Sequence, residues 1–245
     1  METALSLHHI TKIFTENSRH LTVLEDISLE IFSGEFFVIL GPSGSGKSTL
    51  LRIVSGLEKN YRGEVTYAST LSHSDMSFIF QQFALLPWLT VYQNVELGLV
   101  ARHAQKEFRA KKVMEELVRL GLEKFTHAYP RELSGGMRQR VGIARALATD
   151  PKIIFMDEAF SELDSFTAEE LRKEFLKIWQ ERKPTIIMVT HLIPEAIELA
   201  DRIAVFTPRP GKIEKIVANK LGRPREKRSE EFYHLEDELA KVIRP

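Results

Sequence analysis

GPSGSGKST, residues 41–49, sets Gly41, Gly46, Lys47 and Ser48 in the spacing G-x-x-x-x-G-K-[ST], between the apolar runs FFVIL and LLRIV. Glycines let successive backbone N–H groups curl around an anion. A helix start adds positive partial charge, and Lys47 brings a point charge to the β- and γ-phosphates of a triphosphate. Gly41, Pro42, Ser43, Gly44, Ser45, Gly46, Lys47, Ser48 and Thr49 are therefore candidate nucleotide contacts, and Ser48 is a candidate magnesium ligand. A flexible turn without a ligand is the plain alternative, yet the loop follows a strand pattern and precedes a helix pattern.

A phosphate cradle hydrolyses nothing alone, and KIIFMDEAF supplies the missing groups. An apolar strand ending in Asp157 is expected to bring a carboxylate to the sheet edge beside the phosphate loop, to hold Mg²⁺ directly or through water. Glu158, one residue on, is a candidate base for the attacking water if dry, anionic surroundings raise its proton affinity. RELSGGMRQRVGIARAL adds a second anion site, because Ser134, Gly135 and Gly136 open a predicted helix. Ser134 could be a simple N-cap, but two glycines cost helix stability and need a reason. Two anion sites with one nucleotide loop imply two copies of the chain, each burying ATP against the other's LSGG.

The elements that must position these residues are legible in the hydrophobic period. Residues 5–10 and 23–31 alternate as half-buried strands, and 36–40 is a buried strand run; further strands are expected over 64–67, 76–80, 152–157, 185–190 and 202–206. STLLRIVSGL has helical spacing, and from Gln82 to about residue 133 helices dominate, the clearest over 106–120 with Gly121 as a stop. The result is an α/β chain with a mostly parallel sheet and helices on both faces. Its nucleotide-binding core spans 1–81 and 140–210, a helical subdomain is inserted over 82–139, and a short tail of 211–245 is more charged, with an amphipathic last helix over 230–243. Lys plus Arg and Asp plus Glu are equal at 34 each, so no surface-wide field draws the chain to nucleic acid. The chain lacks cysteine, a secretory signal and any run of about 20 apolar residues, and is expected to be soluble and cytoplasmic.

Six motifs in this order, GPSGSGKST, FQQ at 80–82, LSGGM at 133–137, IIFMDE, SELD at 161–164 and TH at 190–191, resemble those of the ATP-binding subunits of ABC transporters over nearly the whole chain. The resemblance implies a P-loop NTPase (RecA-like) core with an N-terminal antiparallel β subdomain and the inserted helical one. By it, Gln81 senses magnesium and γ-phosphate and couples the site to a membrane partner. Asp164 lies at a dimer interface, His191 holds γ-phosphate and water, and Phe14 stacks on adenine, although an edge-strand core phenylalanine would look the same. The chain departs from the family at Met137, where glutamine is usual, at Glu162, where a small residue is usual, and at Leu192, where aspartate is common.

LLPWLTVYQNV at 85–95 offers Leu85, Leu86, Trp88 and Leu89 either as core or as a docking groove for a membrane subunit. FQQFALLPW, LSGGMRQRV, TPRPGKI and the short tail look like the nitrate, sulfonate and taurine class of importers. The implied protein is an ATP- and Mg²⁺-dependent homodimeric ATPase at the cytoplasmic face of the membrane. Its partners are permease subunits docked near Gln81 to Val95 and, indirectly, a solute-binding protein, with no nucleic acid. A DNA- or ribosome-associated ABC ATPase would carry a long coiled-coil insertion or two cassettes. A non-hydrolysing regulatory subunit would have lost Lys47, Glu158 or His191, and a small-molecule kinase leaves LSGGMRQR unexplained.

Overall fold

In the computed structural model, which describes residues 2–16 and 19–243, the chain gathers into two compact units: Met1–Leu71 with Lys183–Pro245, and Ser72–Arg182. The first unit opens with an antiparallel sheet ordered β2-β1-β4, from β1 (Thr3–Glu16), β2 (Arg19–Phe32) and β4 (Arg62–Tyr67). The first two strands outrun the alternating pattern that predicts them. Their register slips between Leu7 and Ile10, near His9 and Asp26 with φ of 53° and 54°, so the alternation breaks while the pairing continues.

A second sheet in this unit centres on β3 (Phe36–Leu40), flanked in parallel by β7 (Thr185–Thr190) and β8 (Arg202–Phe206). Every residue of β3 and β7 is buried, as their unbroken apolar runs require of a covered parallel sheet. Helix α1 (Lys47–Val54) packs on β7, α6 (Ile193–Leu199) on β3, and α7 (Glu230–Ile243) on α6 and β8, burying Phe232 and Leu239. The sequence pattern does not announce β9 (Ile213–Ala218), an antiparallel edge strand on β8. Exposed Glu214 and Lys215 make it read as part of the charged tail, and only Val217 is buried.

The second unit pairs β5 (Met76–Ile79) in parallel with β6 (Ile153–Asp157) and carries α2 (Val91–Ala101), α3 (Lys106–Arg119), α4 (Gly135–Leu147) and α5 (Ser165–Arg182). Helix α4 packs against α2, α3, α5 and β5, which makes it the spine of the unit. Thr90 caps α2 reciprocally with Gln93. Fully buried Asn94 bonds the backbone of Leu86, Leu89 and Thr90, so one amide fixes the turn that carries Pro87 and Trp88. Among the described residues no helix is long and apolar enough to cross a membrane.

Candidate functional site

The phosphate loop leaves the end of β3 and enters α1 through Gly46, whose φ of 96° suits glycine and whose missing Cβ would lie 2.9 Å from Val23 and Leu24. Lys47 is 4 % exposed, and its ammonium donates to the carbonyls of Gly41 and Pro42 at 2.9 Å each. The Oγ of Ser45 is buried without a hydrogen-bond partner, an uncommon state for a hydroxyl inside a protein. Pro42, Ser48 and Thr49 are half-buried, and Ser43 and Gly44 are exposed. The result is a helix start lined with N–H groups, a buried ammonium and an unsatisfied hydroxyl, a constellation suited to an anion.

Parallel pairing of Leu40 with Thr190 makes Gly41 and His191 leave neighbouring strands at the same sheet edge, and the Gly41 N–H donates to the Thr190 carbonyl. His191 is exposed. The Thr190 hydroxyl donates to the Glu195 carboxylate and accepts from the Leu192 N–H at 3.1 Å. That clasp ties the chain on either side of His191 in a sequence where Leu192 stands in place of an aspartate. Phe14 pairs with Leu21 on β2, about 7–10 Å along the strand from the Val23 and Leu24 that touch the loop.

A brace missed in the sequence holds the loop from outside. Arg209 donates from Nε and Nη2 to the Gly44 carbonyl at 3.1 and 2.9 Å. Gly211 exchanges backbone hydrogen bonds with β2, donating to Val23 and accepting from Glu25. A Cβ on Gly211 would stand 2.1 Å from the Ser45 carbonyl oxygen. The TPRPGKI segment, one of those that carry the subfamily resemblance, buttresses the phosphate loop in the fold. A fork-shaped donor between two prolines was the available signal.

In the second unit Asp157 ends β6 at 5 % exposure, and Glu158 follows with a φ of 43°. The Ser161 N–H and hydroxyl both donate to the Glu158 carbonyl, closing a tight turn behind the acid. Gln81 donates to Glu162 at 3.4 Å, which gives the unusual Glu162 a contact. The Asp164 carboxylate accepts from the Phe166 and Thr167 N–H groups as the cap of α5, and bonding from the Thr167 hydroxyl and backbone holds its pKa below the usual range.

Exposed Ser134 caps α4, its hydroxyl accepting from the N–H of half-buried Met137 at 3.3 Å. The double glycine that follows divides in role. A Cβ on Gly136 would meet Thr167 Cγ2 at 2.5 Å, so this glycine is needed within its own chain to let α4 approach α5. Gly135 has ordinary contact only, with Leu163 at 3.9 Å. Two further contacts of α4 escaped the sequence reading. Buried Gln139 donates to the Ala159 carbonyl one residue beyond Glu158, and Arg145 donates to the Phe83 and Ala84 carbonyls just past Gln81. In sequence Gln139 stands between Arg138 and Arg140 as one polar residue among others, and only the fold shows it at 0 % exposure. Of the apolar cluster around Pro87, Trp88 is 69 % exposed, whereas Leu85, Leu86 and Leu89 are half-buried.

Ser48 in the first unit, and Gln81 and Asp157 in the second, carry hard oxygen donors of the kind magnesium takes. Among the described residues no group of three or more acidic or histidine side chains is placed to hold a metal alone.

The family model described as ABC transporter matches residues 24–161. An ABC transporter ATP-binding protein of Methanocaldococcus jannaschii is 42 % identical over all of this chain and 92 % of its own length. The aliphatic sulfonates import ATP-binding protein SsuB of Bacillus cereus is 42 % identical over 94 % of this chain and 92 % of its own, and the nitrate import ATP-binding protein NrtD of Synechocystis is 38 % identical over 98 % and 95 %. A solved dimeric ABC transporter cassette matches with a TM-score of 0.78 and 36 % identity, covering 89 % of this chain and all of its own. A second structure of that cassette, in a post-hydrolysis state with ADP and phosphate, matches with the same figures.

Proposed function

The chain belongs to the ABC transporter ATP-binding subunits, ATPases of this fold, and from that premise we propose that it drives import of a small oxyanionic solute of the nitrate, sulfonate or taurine type. The observation that carries the nucleotide reading is the phosphate loop itself, whose buried Lys47 is satisfied by its own carbonyls and whose Ser45 hydroxyl lacks a partner until an anion arrives. On binding ATP, Lys47 exchanges the Gly41 and Pro42 carbonyls for phosphate oxygens, and the loop N–H groups wrap the β-phosphate. Magnesium, held by Ser48, Asp157 and Gln81, would neutralise phosphate charge.

Glu158 takes a proton from water as its oxygen attacks the γ-phosphorus. The bond to the bridging oxygen breaks, leaving ADP and phosphate, and His191 keeps the γ-phosphate in line. Ser134, Gly135 and Gly136 of a second copy close over the nucleotide, with Asp164 in the loop that meets that copy. ATP thereby joins two copies and hydrolysis parts them. The whole chain acts as one cassette, working peripherally on the cytoplasmic face of the membrane. Exposed Trp88, on the turn fixed by Asn94, is the anchor proposed for a permease helix, and the cargo is delivered by a solute-binding protein.

Glu158→Gln should abolish turnover while favouring an ATP-bound dimer, read by phosphate release and by sedimentation with and without ATP. Wild-type turnover in the variant would remove Glu158 as the base. Co-purification with the permease, and identification of the ligand on its binding protein, tests the transport reading; a ligand that is not a small oxyanion would overturn the cargo class.

A further inference from the structure

Strand β1 places Lys12 and Phe14 two residues apart on one face of its sheet. Lys12 is only 2 % exposed, a rare state for a lysine, since burying an ammonium is costly unless its charge is answered. It is answered from three directions. The ammonium donates to the Asn60 carbonyl, stands 3.2 Å from the Glu58 carboxylate, and lies 4.5 Å from the centroid of the Phe14 ring. Glu58 is itself anchored, accepting from the Asn60 N–H at 2.7 Å, and that bond together with Lys12 holds its carboxyl below the usual range. Phe14 nevertheless remains 43 % exposed. A large apolar ring is thus left partly open to solvent with a buried cation fixed against it.

An ordinary ion pair explains neither feature. A surface lysine would pair with Glu58 without the cost of burial, and a phenylalanine serving only as core would be covered. A cation against an aromatic ring is attracted to its π density and holds the ring in place. It also drains electron density from the ring, which lowers the repulsion when a second electron-rich ring stacks on it.

We propose that Lys12 is a positioning residue for base recognition: its ammonium, locked between the Asn60 carbonyl and the Glu58 carboxylate, holds and polarises the Phe14 ring as a preformed stacking platform for adenine. This rests on Phe14 as the adenine contact. The base is then selected by a device separate from the phosphate loop, and the two divide the affinity for ATP between them.

The test compares two ligands on the full-length chain by calorimetry with magnesium: ATP, and inorganic tripolyphosphate, which has no base to stack. Lys12→Met keeps the bulk of the side chain and removes the charge. It should weaken ATP about fivefold and leave tripolyphosphate unchanged, and Lys12→Arg, which restores a cation, should bring ATP back to within about twofold of wild type. Glu58→Gln, which loosens the ammonium without opening a hole, should weaken ATP about twofold with the same selectivity, and it supplies the readout if Lys12→Met does not fold. Equal losses for the two ligands would make Lys12 a general structural residue and overturn the proposal, as would unchanged ATP affinity in the variants. Phe14→Ala separates the two layers. If it binds ATP as wild type does, the adenine reading itself fails, whereas a selective loss of ATP in Phe14→Ala beside an unaltered Lys12→Met sinks the Lys12 proposal alone.

Discussion

Gly211→Ala tests whether the 207–212 segment braces the phosphate loop. The added methyl would lie 2.1 Å from the Ser45 carbonyl oxygen and 3.3 Å from Phe206 Cδ2. Carbon and oxygen ordinarily meet no closer than about 3.3 Å, so about 1.2 Å of overlap must be relieved by moving backbone. Neither side yields easily: Gly211 is bonded on both its N–H and its carbonyl to β2, and Ser45 precedes the helix that starts at Lys47. Overpacking of this kind costs about 1–3 kcal/mol. If it is expressed as lost stability, about 2 kcal/mol lowers Tm by about 4–8 °C for a chain of this size. If the loop gives way instead, the same figure appears as a loss of ATP affinity of about thirtyfold. The control is Gly222→Ala, whose added methyl has no atom within 4 Å and which should alter neither quantity. Melting curves and ATP titrations on the pair decide the matter. Wild-type Tm together with wild-type ATP affinity in Gly211→Ala would refute the brace.

Arg209→Ala removes the exposed two-pronged bond to the Gly44 carbonyl and little packing, so ATP affinity should fall about three- to tenfold with Tm nearly unchanged. A titration indistinguishable from wild type would mean that the guanidinium does not set the loop. Gly136→Ala should lower Tm because its methyl meets Thr167 Cγ2 at 2.5 Å, and Thr167→Ser, which deletes that carbon, should recover much of the loss. A double-mutant cycle with coupling near zero would show that the two helices do not meet there.

The phosphate loop is readable in sequence because its function is local. Consecutive amides, one lysine and a helix start within nine residues leave few other uses, and Gly46 and Lys47 take the conformations that spacing implies. The buried parallel strands are readable for a related reason, since FFVIL and the IIMV of β7 are unbroken apolar runs with no polar face to expose. Contacts made by sequence-distant residues are not readable in this way. Nothing in GPSGSGKST indicates that Arg209 will grip Gly44, because 165 residues separate them. Gly136 carries a packing requirement that the sequence does not show. Whatever the pair does for an anion, one of the two glycines is also required by Thr167 in the same unit. The full length of β1 and β2 is not readable either, because irregularities near His9 on β1 and Asp26 on β2 break the period without breaking the ladder.

The cost of a polar residue inside α4 is best understood from where the helix reaches. Thirteen residues span about 20 Å, and over that length the helix is fixed at three stations of the second unit. Ser134 caps its start within the LSGG segment, Gln139 holds the Ala159 carbonyl behind Glu158, and Arg145 holds the Phe83 and Ala84 carbonyls behind Gln81. Phe83 and Ala84 have φ of 37° and 47°, a conformation that costs side-chain-bearing residues energy and persists only where neighbours impose it. Burial pushes the Arg145 pKa down, so this guanidinium gives up hydration to make the contact. Arg138 adds its guanidinium 5.3 Å above the Phe83 ring. Helix α4 therefore joins, in one element, the segment that opens at Ser134, the loop behind Glu158 and the turn that leads to Trp88.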